Sequence, residues 1–285
     1  MAGANKSFLG QAWAVVFDAF GHFNADDGWA MASHVALSAL LALFPFLIFV
    51  AALAGALGED ALAARVAEIM FATWPMEVAG PISAEVQRVL TADHQGLLTI
   101  SAVVAAYLAS NGVEATRTAL NRAYRVVDRR SIFFRRTQSL VFVLLGAGLG
   151  LVLAFLAAFG SEAIASIASA IPALAPLESL SGFARFAVTG IVLIVSLTVA
   201  HLWLPAGRPR WFRLWPGIAL TLVGWVILAA VFRIYLGRFA NMAATYAGLA
   251  SVFTAIFFLY IVAVLAIFGG EFNAALGRLR EGRIG

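Results

Sequence analysis

Six stretches of this chain carry no Asp, Glu, Lys or Arg over about the length a helix needs to cross a hydrocarbon core, roughly 20 residues for ~30 Å. They are Ser33 to Leu57, Leu97 to Val113, Leu140 to Phe159, Phe186 to Leu204, Gly217 to Phe232 and Ala247 to Gly270. Hydrophobic residues make up 62% of the 285 and charged residues 12%, against about 45–50% and ~25% in soluble domains. Mean hydropathy is +0.93. Such a chain has too little polar surface for an ordinary cytosolic enzyme, and it is neither disordered nor fibrous. The expectation is an all-α polytopic membrane protein of six spans, folded as a single unit over 1–285. The first apolar run is too long and too far from the start for a cleaved signal peptide, so it reads as a retained span.

The arginines set an orientation. One basic residue, Lys6, precedes the first run. Arg65 and Arg88 follow it, whereas Arg117, Arg122, Arg125, Arg129, Arg130, Arg135 and Arg136 follow the second. Arg185 lies at the lip of the fourth, and Arg208, Arg210 and Arg213 come after it. Arg233 and Arg238 separate the fifth and sixth runs, and Arg278, Arg280 and Arg283 close the chain. Alternate segments therefore hold most of the positive charge. That side is cytoplasmic by the positive-inside rule. Both termini then lie in the cytoplasm, as an even number of spans requires. The expected location is a bacterial inner membrane, with membrane lipids as the surrounding partners.

Between the spans the chain stays amphipathic. Leu9, Trp13, Val16, Phe17 and Phe20 fall on one stripe of a helix within 1–31, which is expected either to lie in the cytoplasmic interface or to pack beneath the bundle. In 58–96, Leu62, Val66, Ile69 and Met70 form one stripe and Ile82, Val86, Val89 and Leu90 a second, broken by Pro75, Gly80 and Pro81. This predicts an extracytoplasmic cap of two short helices. The segment from Ser161 to Ser181 reads as a weak helix and a loop.

Three patches resemble one family. Asp26-Asp27-Gly28-Trp29-Ala30 through Leu41-Ala42-Leu43-Phe44-Pro45-Phe46-Leu47 is similar to the entry to the first span of YihY/BrkB proteins. Ala109-Ser110-Asn111-Gly112-Val113 with Ala119-Leu120-Asn121-Arg122-Ala123-Tyr124 resembles the second-span signature. Tyr246-Ala247-Gly248-Leu249-Ala250-Ser251 through Gly269-Gly270-Glu271-Phe272-Asn273-Ala274-Ala275-Leu276 resembles the last span. The patches keep family order over residues ~20 to 280. His34-Val35 departs from the Ala and Tyr that many members carry near the first helix start. The resemblance implies an inner-membrane protein suspected of transport. It also brings an old ribonuclease label, which this sequence does not support: metal-assisted hydrolysis wants clustered acids or histidines, and those here are dispersed.

Polar side chains inside apolar runs are the candidates for function, because burying them in hydrocarbon is costly. Asn111, Glu114, Arg117 and Asn121 share a helix face at the end of the second span, and Glu271 and Asn273 end the sixth on the same side. All six are expected to converge at one depth. They form either a vestibule lining a cavity between the first, second and sixth spans, or a structural clasp between the second and sixth. His34 and Ser38 stand one turn apart ahead of Pro45, a place for a kink. Arg233 and Tyr246, beyond the fifth span, either reach into a pathway or sit at the interface. His201 reads as a packing histidine. Gly146, Gly148 and Gly150 permit close helix approach within the chain, and leave a homo-oligomer open.

No metal or cofactor is expected. The chain has no cysteine, no histidine pair at ligand spacing, and no phosphate loop or catalytic triad. Topology accounts for the arginine run, so no nucleic-acid partner is inferred; anionic lipid heads would suit it. The expected activity is ATP-independent transport of a small polar solute or an amphiphile. The alternatives are a non-transporting scaffold or envelope-integrity factor and, last, a hydrolase.

Overall fold

The computed structural model describes residues 8–56, 98–146, 148–149, 181–207, 209–243 and 249–284. These are helical with no strand among them. In chain order the helices are α1 (Phe8–Ala25), α2 (Gly28–Ala56), α3 (Leu98–Ala123), α4 (132–149), α5 (Ser181–Trp203), α6 (Trp215–Ala243) and α7 (Leu249–Arg280). A single 3-10 turn, Trp211–Arg213, leads into α6. The expected cap in 58–96 and the loop from Ser161 to Ser181 lie outside the described residues except for the final serine.

Where they are described the apolar runs are helical, and α3, α6 and α7 extend past the ends of theirs. At 1.5 Å per residue, 29-residue α6 and 32-residue α7 are about 43 and 48 Å long, more than hydrocarbon alone demands. Trp215–Tyr235 and Phe253–Arg280 are long and apolar enough to cross a membrane; Gly28–Ala42 and Ala187–Trp203 are shorter apolar segments. Val226, Ile227, Ile234, Phe253 and Phe257 point outward from α6 and α7. Water would not tolerate so many large exposed apolar groups on adjoining helices; lipid does. The second span was expected to end at Val113, yet α3 continues to Ala123 and carries its polar face beyond the apolar run. α2 passes through Pro45 without ending.

α7 is the central helix, touching α1, α2, α3 and α6. Small residues let it serve four neighbours at once. A methyl group built on Gly269 would lie 2.2 Å from Thr221 Oγ1 and 2.7 Å from the Gly217 carbonyl oxygen. A methyl group on Gly217 would lie 2.1 Å from the Gly269 carbonyl oxygen. The α6 and α7 backbones therefore touch directly. Among the described residues nothing lies within 4 Å of a methyl group at Gly146 or Gly148, and Gly150 lies outside them. A glycine spacing marks permission to approach, and only a facing helix turns it into contact.

α1 packs by one face and exposes the other. The side that packs is Val15, Ala19 and Phe23, against Ala275 and Phe272 and against Ala119, Ala263 and Ile267. The stripe read from the sequence faces away: Trp13 is 61%, Phe17 67% and Phe20 51% exposed. The tight α1–α7 crossing instead selects small side chains.

Candidate functional site

The arginine-rich segments expected on one side of the membrane meet at one end of the helix bundle. α1 is tied to the end of α7 by Arg278, whose Nε and Nη2 both reach Asp18 Oδ2, at 2.8 and 2.6 Å. The α1–α2 turn is tied to the end of α3 by two ion pairs, Arg122 with Asp27 at 3.3 Å and Arg125 with Asp26. Arg122 Nη1 also donates to the Asp26 carbonyl at 2.9 Å. Both turns hold a non-glycine residue in the left-handed region, Asp27 and Arg125, each at φ +56. In α3 this is a Schellman ending, with Val126 N donating to the Asn121 carbonyl and Arg125 N to that of Arg122. Backbone strain of this kind persists where surrounding contacts enforce it, and here the strained turns are latched to each other.

The six candidates do not converge as one cluster. Asn111, Glu114 and Arg117 turn toward α4. Arg117 is 1% exposed; its Nη1 donates to Glu114 Oε1, and its Nη2 to Ser139 Oγ at 3.0 Å and to Gln138 Oε1 at 3.2 Å. Ser139 in turn donates to Glu114 Oε1 at 2.9 Å. Asn111 accepts from Arg136 Nη1 at 2.9 Å, and the Arg136 guanidinium sits 4.4 Å from the Tyr107 ring centroid. The reason is rotational. At about 100° per residue, the small stripe of Gly112, Ala115, Ala119 and Ala123 faces α2 and α7, which aims the polar residues elsewhere. The ends of α3 and α7 do meet, with Gly270 against Leu120 and Ala123, but through apolar and backbone atoms.

Asn121 joins a second cluster around Asp128, in the loop after α3. Its Nδ2 donates to Asp128 Oδ2 at 3.3 Å, and its Oδ1 accepts from Ala206 N at 2.9 Å. Arg130 encloses the same carboxylate: its backbone N and its Nε reach Oδ1 at 3.0 and 2.8 Å, and its Nη2 reaches Oδ2 at 2.6 Å. Arg130 Nη2 also donates to the Leu204 carbonyl at 2.7 Å, which anchors the end of α5. The Arg130 guanidinium hydrogen-bonded to Asp128 holds that carboxyl down at about 2, from an ordinary 3.8. An acid that ionises more readily when folded stabilises the fold above its unfolded pKa, and loses that contribution as pH falls toward the folded one. Stability from this cluster is thus complete above about pH 4 and gone near pH 2, a loss on the order of 1–2 kcal/mol after solvent screening. Thermal melts of detergent-solubilised wild type and Asp128→Asn should differ at neutral pH and draw together over that acid window. A gap that stays constant with pH would contradict the assignment.

Asn273 and Glu271, two residues apart on α7, part company. Asn273 fastens the start of α6: its Oδ1 accepts from Gly217 N at 2.8 Å and its Nδ2 donates to the Leu214 carbonyl at 3.0 Å. It supplies from another helix the acceptor that a first-turn amide lacks. Glu271 is 1% exposed, and its Oε2 has no hydrogen-bond partner among the described residues. Its carboxyl lies within hydrogen-bonding reach of Asp26. Close by, Tyr124 Oη is 2.7 Å from His201 Nδ1. Burial pushes the Tyr124 phenol above its ordinary range, so it stays protonated beside His201. The histidine read as a packing residue is buried and bonded.

Of the remaining candidates, Ser38 is buried against α3 near Gly112, while His34, one turn earlier, is exposed. Arg233 is exposed on α6. Tyr246 lies outside the described residues, as do the side-chain surroundings of Pro45. Sequence reasoning passed over Asp26, Arg125, Tyr124 and Ser139. Asp26 and Arg125 read as turn and topology residues, and no spacing rule links positions that far apart.

A cavity of about 730 Å³ lies between α4 and the end of α5. Arg130, Thr137 and Gln138 form its polar part, and Val141, Leu145 and Trp203 are among its apolar walls. Among the described residues no three of His, Cys, Asp and Glu are placed to share a metal ion.

An all-helical chain with lipid-facing apolar helices and a buried ionic network at one end defines a helical membrane protein. It belongs to the family Virulence factor BrkB, which matches residues 19–284. It is 28% identical over 266 residues to YfkH of Bacillus subtilis (strain 168), a protein whose name calls it ribonuclease-like; that match covers 92% of this chain and 94% of YfkH. It is 27% identical over 288 residues to a UPF0761 membrane protein of Rhodospirillum centenum (strain ATCC 51521 / SW), covering 97% of this chain and 60% of that protein. No solved structure matches it.

Proposed function

We propose that this membrane protein is an ATP-independent transporter of an amphiphile or a small polar solute, crossing a bacterial inner membrane six times with both termini in the cytoplasm. The cavity beside α4 carries this reading. It offers Arg130 and Gln138 to a polar or anionic head and Val141, Leu145 and Leu202 to an apolar tail, the division an amphiphile requires. Topology is supported by the gathering of the end of α3, the 124–131 loop, the turn before α6 and the end of α7 at one end, since these are the segments richest in arginine. The exposed aromatic stripe of α1 suits the headgroup region on that side.

A non-transporting scaffold is the second reading, favoured by the pairing of Glu114, Arg117 and Asn273. Reconstituted vesicles separate the two. Wild type should release or flip members of a panel of polar solutes and labelled lipids above the rate of empty vesicles. Val141→Trp, which narrows the cavity, should lower that flux, while Glu114→Gln tests whether the α3–α4 network participates. Wild-type flux no greater than that of empty vesicles across the whole panel would leave the scaffold.

A further inference from the structure

We propose that Glu271 carries a proton and donates it to Asp26, making the end of α7 a proton-binding site closed by the α1–α2 turn. Glu271 cannot reach water: Gly270 beside it packs against Leu120, Ala123 and the His201 ring, and one turn later Ala275 packs against α1. Its Oε2 is buried with no hydrogen-bond partner, and so is Asp26 Oδ2, which has only its ion pair with Arg125. Two carboxylate oxygens that face each other repel, and a single proton between them relieves that repulsion.

The surrounding charges leave room for one proton. Arg125 is paired to Asp26, Arg122 to Asp27 and Arg278 to Asp18. The Tyr124 hydroxyl is engaged with His201. Two carboxyl groups thus meet one available cation, Glu271 buried and Asp26 with its side chain 18% exposed, and such a pair holds one proton in common. Asp26, committed to Arg125, keeps the negative charge, and Glu271 keeps the proton. Releasing it requires water, and water enters if the turn at Asp26 and Asp27 parts from α7. The latch of two strained turns, Asp27 and Arg125, is the element that must open. The transport reading bears only on what that opening would gate.

Infrared spectra of the protein in nanodiscs at neutral pH test the site without any flux. Wild type should show the carbonyl stretch of a protonated carboxyl group, and Glu271→Gln should lose it. The glutamine amide can still donate to Asp26, so this variant is expected to fold. Labelling wild type with carboxyl-¹³C glutamate should shift the band, and the same label on aspartate should not; this arm needs no variant. Absence of the band in wild type, its full persistence in Glu271→Gln, or a shift with aspartate alone overturns the proposal. A protein that moves no solute yet shows the glutamate band keeps the proton site and loses only the transport reading.

Discussion

Gly269→Ala is expected to loosen α6 from α7 and lower the thermal midpoint of the purified protein sharply, whereas Gly146→Ala and Gly148→Ala leave it unchanged or raise it slightly. The added methyl group at 269 meets Thr221 Oγ1 at 2.2 Å and a backbone oxygen of the facing helix at 2.7 Å. Thr221 has little freedom to withdraw, because its hydroxyl lies 2.9 Å from the Gly217 carbonyl and 3.2 Å from that of Leu265. The helices must separate, which also strains the Asn273 bonds to Gly217 and Leu214. Overpacking costs about 1–3 kcal/mol where side chains can yield, so roughly 3 kcal/mol or more is expected against backbone. At Gly146 and Gly148 nothing among the described residues lies within 4 Å, and alanine gains about 0.5–1 kcal/mol of helix propensity. Equal midpoints for Gly269→Ala and Gly146→Ala would show that α6 and α7 do not cross where described.

Arg117→Met should be the most damaging change in the polar network. The guanidinium is buried, and it satisfies Glu114, Gln138 and Ser139 together. Removing one partner of a buried ion pair costs about 3–5 kcal/mol, because the other charge is left uncompensated. The double variant Glu114→Leu with Arg117→Met removes both charges and should recover much of the loss. Denaturation midpoints in detergent read both effects. If the double variant is no better than the single, Arg117 matters through packing and not through charge. If the double variant regains stability while vesicle flux stays at the empty-vesicle rate, the pair belongs to the transport path as well as to the fold.

The relation between sequence and structure is clearest on α3. Its polar residues were legible because hydrocarbon makes each of them costly, and their shared face follows from helical spacing alone. Their partners were not. Whether Glu114 and Arg117 meet α7 or α4 depends on the rotation of α3 about its axis, which the small stripe facing α2 and α7 sets. A single sequence shows that stripe, yet it does not say which neighbour the stripe will meet. α1 teaches the same lesson in reverse. Its bulky stripe drew attention, but the packed face is Val15, Ala19 and Phe23, with the small Ala19 and Ala275 where α1 and α7 pack closely.

What the sequence determined by itself was the class of solvent and the class of secondary structure. Long uncharged runs cannot leave their backbone groups unpaired in lipid, so they become helices, and the placement of arginine sorts the connecting segments to two sides. What only the tertiary structure decided was which distant side chains share an environment: Asp26 with Arg125 and Glu271, Tyr124 with His201, Asn273 with the start of α6. Ion pairs and hydrogen bonds act over a few ångströms between residues far apart in the chain, and the packing of whole helices fixes those distances.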